Sequence, residues 1–112
     1  MNERFAKAVE LFNAGRYFDA HEALEDEWRE SVDPERRWLQ GLVQVAVASH
    51  HHSTGNLLGA NSVMARAIAN LETCPTVLHG VDIAKLRRDL VIATTEWNAG
   101  RPAGRIKLQC AV

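Results

Sequence analysis

The chain has 112 residues and a mass of 12.5 kDa, which corresponds to one ordinary domain. With 46% hydrophobic residues, 24% charged residues and a net charge of −1, its composition is that of a soluble globular protein, so neither disorder nor a nucleic-acid partner is expected. The two cysteines, Cys74 and Cys110, lack the spacing of a zinc site or a disulfide framework, and this favours the reducing cytoplasm. No apolar run approaches the roughly 18 residues of a membrane span, and the N-terminal residues show no export signal, so no membrane partner is expected.

Apolar residues recur at helical spacing along nearly the whole chain, and no segment shows the alternation of a strand. The first predicted helix runs from Phe5 to Phe12 and ends before Gly15. The second runs from Tyr17 to about Ser31 and carries acidic residues on its outward side. The apolar faces of these two helices comprise Phe5, Ala8, Val9 and Phe12, then Tyr17, Ala20, His21, Leu24 and Trp28.

The third predicted helix begins at the pair Asp33-Pro34 and continues to about Ser53, before Gly55. Asp33 is expected to be the N-cap, with Pro34 as the first helical residue. Apolar side chains cover almost the whole circumference of this helix: Leu39, Leu42, Val43, Val45, Ala46, Val47 and Ala48. A helix of this kind belongs in the centre of the fold.

The fourth and fifth predicted helices are separated by a short connector that starts at Pro75. Asp82 is placed to cap the fifth helix, with Val81 and Leu86 as a hydrophobic staple. The fourth helix carries Ala60, Met64, Ala67, Ile68 and Leu71, and the fifth has a seam of Ile83, Leu86, Leu90, Ala93 and Trp97. The fifth helix is expected to break at Gly100, Pro102 and Gly104.

The predicted fold class is therefore all-α, a compact antiparallel bundle of about five helices with the third buried in the centre. Residues 1–100 form the predicted single domain, and residues 101–112 form an irregular tail that Ile106 and Leu108 could anchor. The segment 15–20 is echoed by 55–60, so the second and fourth helices are expected to begin alike. A two-repeat tetratricopeptide-like stack capped by the fifth helix is the alternative fold. A homo-oligomer formed through the fifth helix stays open.

Polar residues interrupt helix faces that are expected to be dry. On the third helix, Gln40 and Gln44 lie four residues apart and His51 continues their line. A buried amide without a partner costs about 1–3 kcal/mol, so these glutamines need polar groups opposite them. On the second helix, His21 lies on the apolar face and Glu25 follows one turn later. The two polar stripes are expected to meet.

This cluster has three interpretations. The first is a satisfied polar network that sets the register of the helices and has no chemistry. The second is a divalent metal site, for example for zinc or manganese, in which His21, Glu25 and His51 are the ligands and Glu22 is the base that activates a bound water.

The third interpretation is a small polar ligand or a protein partner bound between the second and third helices. Gln40, Gln44 and Glu25 would orient it, and Trp28 and Trp38 would form the walls. A structural or binding module is the predicted function, and a metal-dependent hydrolase is the alternative.

Two further features are interpreted as structural. Successive helical residues point about 100° apart, so His50, His51 and His52 cannot converge on one ion, and His50 and His52 are assigned to an exposed helix end. Cys74, next to Pro75, is expected to be an inert thiol.

Taken together, the motifs resemble the DUF309 family of small bacterial and archaeal helical proteins, over about residues 5 to 100. The family pattern is His-Glu-x-x-Glu-x-x-Trp, then Gln-Gly-Leu-Ile-Gln, then a histidine before Gly-Asn. Its polar positions fall on His21, Glu22, Glu25, Gln40, Gln44 and His51, and its framework positions on Trp28, Gly41, Gly55 and Asn56. Val43 replaces the isoleucine. The resemblance implies a helical protein of unknown function, in a family that has been described as a predicted metal-dependent hydrolase.

Overall fold

The computed structural model describes residues 3–101 and 104–111, and it confirms an all-α fold. The described residues form the helices α1 (Glu3–Asn13), α2 (Tyr17–Glu30), α3 (Glu35–Ser53), α4 (Leu57–Leu71) and α5 (Ile83–Asn98). Two short strands, β1 (Val77–Leu78) and β2 (Val81–Asp82), lie between α4 and α5. Pro102, expected to help end the fifth helix, lies outside the described residues. None of the helices in the described ranges is long and apolar enough to cross a bilayer.

Each helix packs mainly against its neighbours in sequence, and α3 lies between α2 and α4. The turns before α2 and α4 have the same local structure, as the sequence echo predicts. Gly15 and Gly55 have φ values of +83° and +84°, which glycine adopts without steric cost. The next residues, Arg16 and Asn56, each accept a bond of 3.0 Å at their carbonyl oxygens from the amide four residues on.

The central position of α3 is confirmed, and its packing against α4 depends on Gly41. A Cβ atom at Gly41 would lie 2.8 Å from Cγ of Leu71 and 3.3 Å from Cβ of Asn70. Glycine is therefore the residue that lets these two helices approach. The circumference of α3 is not covered completely, because Gln40 is exposed and Val43 and Val47 are half-buried.

The two predicted helix caps have different outcomes. Asp82 caps α5 as predicted, because its Oδ1 accepts a 2.9 Å bond from the Lys85 amide. Asp33 is not the cap of α3, and that prediction is wrong. Pro34 occupies the N-cap position without a side-chain cap bond, so Asp33 lies one residue outside it. The Arg36 amide instead donates to the carbonyl oxygen of Val32 at 2.9 Å.

The predicted seam of α5 is buried throughout, with Ile83, Leu86, Leu90, Ala93 and Trp97 in the core. The strands before it were not predicted, because two residues are too few to show alternation. They pair antiparallel, with Val77 opposite Asp82 and Leu78 opposite Val81.

The segment 104–111 has no helix but packs closely against the domain. Ile106 and Leu108 are buried. The side chain of Asn13 accepts a 2.8 Å bond from the Leu108 amide and donates a 2.9 Å bond to the Leu108 carbonyl oxygen. The Ala111 amide donates to the carbonyl oxygen of Gly80 at 2.9 Å. These contacts make the tail part of the wall of the domain.

Candidate functional site

The centre of the site is a line of three polar side chains on α2. The sequence places His21, Glu25 and Arg29 four residues apart, so they follow one another along one helix face. His21 Nε2 lies 2.8 Å from Glu25 Oε2, and Arg29 Nη2 donates to Glu25 Oε1 at 2.8 Å. Glu25 therefore orients the imidazole of His21, while Arg29 holds the other carboxylate oxygen.

This line is open to solvent. The side chains of His21 and Glu25 are 25% and 32% exposed. The sequence predicts that two polar stripes meet in a dry interface. That prediction is wrong for His21 and Glu25, which lie at the rim of a groove. Ion pairs at such exposure contribute little to stability.

On the α3 side of His21 lies a cavity of about 230 Å³, which we name the histidine cavity. It is lined by Phe18, His21, Val47, His50 and His51. The Phe18 ring centroid lies 5.7 Å from that of His21 and 5.9 Å from that of His50. His50, assigned from the sequence to an exposed helix end, is therefore part of the site.

His51 lines the same cavity and is held by the next turn. Its Nδ1 lies 3.3 Å from Nδ2 of Asn56. The Oδ1 of Asn56 caps α4 by accepting a 3.0 Å bond from the Gly59 amide. The framework residue Asn56 thus links the orientation of His51 to the start of α4.

On the other side of His21 lies a second cavity of about 250 Å³, which we name the acidic cavity. It is lined by Phe18, His21, Glu22, Glu25, Asp26 and Arg29. Arg29 Nη1 donates to Asp26 at 3.1 Å. Glu22 is exposed and forms no ion pair or side-chain hydrogen bond with a described residue. Phe18 and His21 therefore separate two adjoining cavities of different chemistry.

The two glutamines of the predicted cluster lie elsewhere. Gln40 is exposed. Gln44 Oε1 accepts a 2.7 Å bond from Nδ2 of Asn70 on α4, so its partner is on α4 and not on α2. The prediction that these amides meet His21 and Glu25 is wrong, because an amide on α4 satisfies the half-buried Gln44.

The two tryptophans do not line either cavity. The Arg36 guanidinium carbon lies 4.1 Å from the centroid of the Trp28 ring. The indole N–H of Trp28 is buried and has no hydrogen-bond partner within residues 3–101 and 104–111. Trp38 Nε1 donates to Thr73 Oγ1 at 3.1 Å, on the turn after α4. Their predicted role as walls of the cluster is therefore not fulfilled.

His21 contacts Glu25 and lines the histidine cavity with His51, but in the described residues the three predicted ligands do not form a metal-binding group. Within residues 3–101 and 104–111, no three His, Cys, Asp or Glu side chains lie together in an arrangement that could hold a metal ion. Glu25 is engaged by His21 and Arg29, and His51 by Asn56. Metal binding by His21, Glu25 and His51, with Glu22 as the base, stays a prediction.

Cys74 lies outside the site. Burial raises the pKa of the Cys74 thiol to about 11, while the charge of Arg87 opposes that shift. At neutral pH the thiol is therefore protonated, and the thiolate that a nucleophile needs is absent.

Sequence reasoning left His50 out of the site and also missed Phe18. Phe18 is 54% exposed and lies off the apolar seam of α2. The available signal was an aromatic residue on the polar face of a helix, three residues before His21.

Comparison with known proteins places the sequence of this chain in a family. The family model described as "Domain of unknown function (DUF309)" matches residues 5–63, more than half of the chain. Over 97 residues, 84% of the chain, the sequence is 29% identical to an uncharacterized protein of Aquifex aeolicus (strain VF5). Over 65 residues, 57% of the chain, it is 43% identical to the uncharacterized protein YpuF of Bacillus subtilis (strain 168). These matches cover 29% and 37% of the two relatives, so the chain spans about a third of their length.

Proposed function

We propose that this chain, which belongs to the DUF309 family, is a helical module that binds a partner protein through the histidine and acidic cavities. The observation that carries the proposal is the position of Phe18, a 54% exposed aromatic side chain that lines both cavities. Exposed aromatic residues at the centre of a shaped surface are typical anchors of protein interfaces.

The size of the cavities favours side chains over a whole small molecule. Their volumes are about 230 and 250 Å³. Pockets for complete small-molecule ligands usually span about 300–1,000 Å³. Each cavity is therefore suited to one side chain of a partner segment that crosses Phe18.

The chemistry of the walls specifies the two side chains. In the acidic cavity, Glu22 has no cationic partner among the described residues, and Asp26 lies beside it. An arginine or lysine of the partner would pair with Glu22 and lie against the Phe18 ring. The histidine cavity, with Val47 and the Phe18 ring in its walls, would take an aliphatic side chain.

Between the two cavities, His21 would form a polar contact with the partner segment. Its Nε2 is occupied by Glu25, so Nδ1 is the ring atom that remains for the partner backbone.

In both relatives the matched segment belongs to a longer chain, which supports the interpretation as a module.

Selection from a phage-displayed library of random peptides tests the proposal. The wild-type protein is the bait, and Phe18→Ser is the counter-selection bait, because the exposure of Phe18 lets the fold tolerate the change. We expect the selected peptides to contain a basic residue close to an aliphatic one. Phe18→Ser and Glu22→Lys should bind these peptides at least about tenfold more weakly than the wild type does.

Val91→Ser is the matched control, because Val91 is also an exposed apolar residue, 53% exposed on α5. It should bind the selected peptides like the wild type. Failure to enrich any peptide, or equal binding by Phe18→Ser, would contradict the proposal. A near-stoichiometric metal in untagged protein that is lost in His21→Ala would favour the hydrolase alternative instead.

A further inference from the structure

A further cavity lies away from the α2 cluster, where the tail closes over the ends of α3 and α5. Its volume is about 370 Å³, within the range of small-ligand pockets. Tyr17, Ser49, His52, Trp97 and Arg105 contribute its polar and aromatic walls. We propose that this cavity binds a small organic anion whose carboxylate or phosphate group pairs with Arg105.

Arg105 supplies the positive charge. It forms no ion pair or side-chain hydrogen bond with any described residue. Its guanidinium lies against Gly15, where a Cβ atom would collide with it. An unpaired guanidinium beside bare backbone keeps its planar set of donors available for an oxyanion.

Ser49 supplies a hydroxyl that the protein itself leaves unused. It is 6% exposed, and its Oγ is buried with no hydrogen-bond partner among the residues that the structure describes. One turn later, Ser53 Oγ donates to the carbonyl oxygen of His50 at 2.7 Å, which is the usual way for a helical serine to satisfy itself. A buried hydroxyl without a partner is unfavourable, and an anion in the adjoining cavity would accept a hydrogen bond from it.

Aromatic rings form the flat wall of the cavity. His52 stacks on Trp97 with a centroid distance of 4.2 Å and an interplanar angle of 12°. The stack limits one dimension of the cavity and favours a ligand with a flat apolar body. The tail residues that carry Arg105 are held by the buried Ile106, so the cavity wall is part of the folded domain.

Two-dimensional NMR of the indole N–H groups tests this inference. The protein has three tryptophans, so Trp97→Phe identifies the Trp97 signal by its disappearance. The probes are sodium phosphate, sodium benzoate and phenyl phosphate. We expect phenyl phosphate or benzoate to shift the Trp97 signal saturably, with a Kd of about 1 mM or below. A response to both phosphate probes but not to benzoate would assign the anion as a phosphate, and the converse as a carboxylate.

Arg105→Gln should weaken this binding at least about tenfold. Arg88→Gln is the matched control, because Arg88 is an exposed arginine on α5 outside the cavity and its replacement changes the net charge equally. Ser49→Ala should weaken binding without lowering the Tm, since the hydroxyl has no partner in the free protein.

The inference does not depend on the proposed function, and Phe18→Ser should bind the anion like the wild type. Absence of a saturable shift with all three probes, or equal weakening by Arg88→Gln and Arg105→Gln, would overturn it.

Discussion

Glu25 joins the polar side chains of α2, since its two carboxylate oxygens are divided between His21 and Arg29. This much follows from the four-residue spacing, which places all three on one helix face. The exposure of Glu25 does not follow from the spacing, because it depends on how α3 lies against α2. Because the Glu25 side chain is 32% exposed, its contacts with His21 and Arg29 are expected to contribute only about 0.2–1 kcal/mol each to stability.

Replacement of Glu25 separates orientation from stability. We expect Glu25→Gln and Glu25→Ala to melt within a few degrees of the wild type, because solvent hydrates the partners that are released. Both variants should bind the peptides selected on the wild type more weakly than the wild type does. Glu25→Ala should bind them more weakly than Glu25→Gln, because it leaves the His21 imidazole without a partner.

Thermal melts followed by circular dichroism, with and without chelator, measure the stability effect. Glu22→Ala is the control for loss of a carboxylate that has no partner among the described residues. A large destabilisation by Glu25→Ala alone would restore the buried-network interpretation. A similar decrease in Tm in both Glu25 variants, together with a decrease in the Tm of the wild type on adding chelator, would point to a metal.

Between elements, Arg4 connects the start of α1 to the end of α2. Its Nε donates to Glu27 Oε1 at 2.7 Å, and its terminal nitrogens bond to Glu30. Glu27 is the buried carboxylate of this group, with a side chain 11% exposed. The hydrogen bonds from Arg4 lower the pKa of Glu30 below its ordinary value. The arginine thus orients two helices whose apolar faces bring them together.

Arg4→Ala should therefore destabilise the protein in a pH-dependent way. A carboxylate with a lowered folded-state pKa contributes stability above its unfolded-state pKa, and that contribution is lost as the pH falls through the folded-state value. The difference in Tm between wild type and Arg4→Ala should be full at pH 7 and should shrink below the ordinary pKa range of glutamate.

Lys7→Ala is the matched control, because the one ion pair of Lys7 in the described part of the chain is an exposed pair with Glu10 at 3.6 Å on the same helix. Its Tm should differ little from the wild type at any pH. A Tm difference for Arg4→Ala that stays constant down to strongly acidic pH would show that the stabilisation comes from packing of the arginine stem.

At the scale of the whole molecule, the segment 104–111 forms one wall of the cavity of about 370 Å³ that contains Arg105, and it packs against the helical domain. Leu108 is 2% exposed, and the Asn13 side chain makes two bonds to its backbone. A two-residue bridge between Val81 and Cys110 attaches the end of the segment to β2. The tail therefore contributes to the same core as the five helices.

Leu108→Ala should cost about 2–4 kcal/mol of unfolding free energy, because it removes a buried side chain and leaves a cavity. Gln109→Ala is the control, since its exposed side chain is removed while the backbone bond from the Asp82 amide is kept. Urea unfolding measures both. Equal stability of the two variants would mean that the tail does not belong to the cooperative unit.

The sequence by itself determined the helices, the apolar seam of α5, the Asp82 cap and the contact between His21 and Glu25. All of these depend on spacing along one helix or on a few neighbouring residues, and local geometry is set by the order of side chains. The tertiary structure alone decided that Gln44 meets Asn70, that Phe18 separates two cavities, and that Arg105 reaches Gly15. These arrangements bring together residues that are far apart in the chain, and they depend on the rotation of each helix about its axis. That rotation is set by the packing of the whole core, to which Gly41 and the tail both contribute.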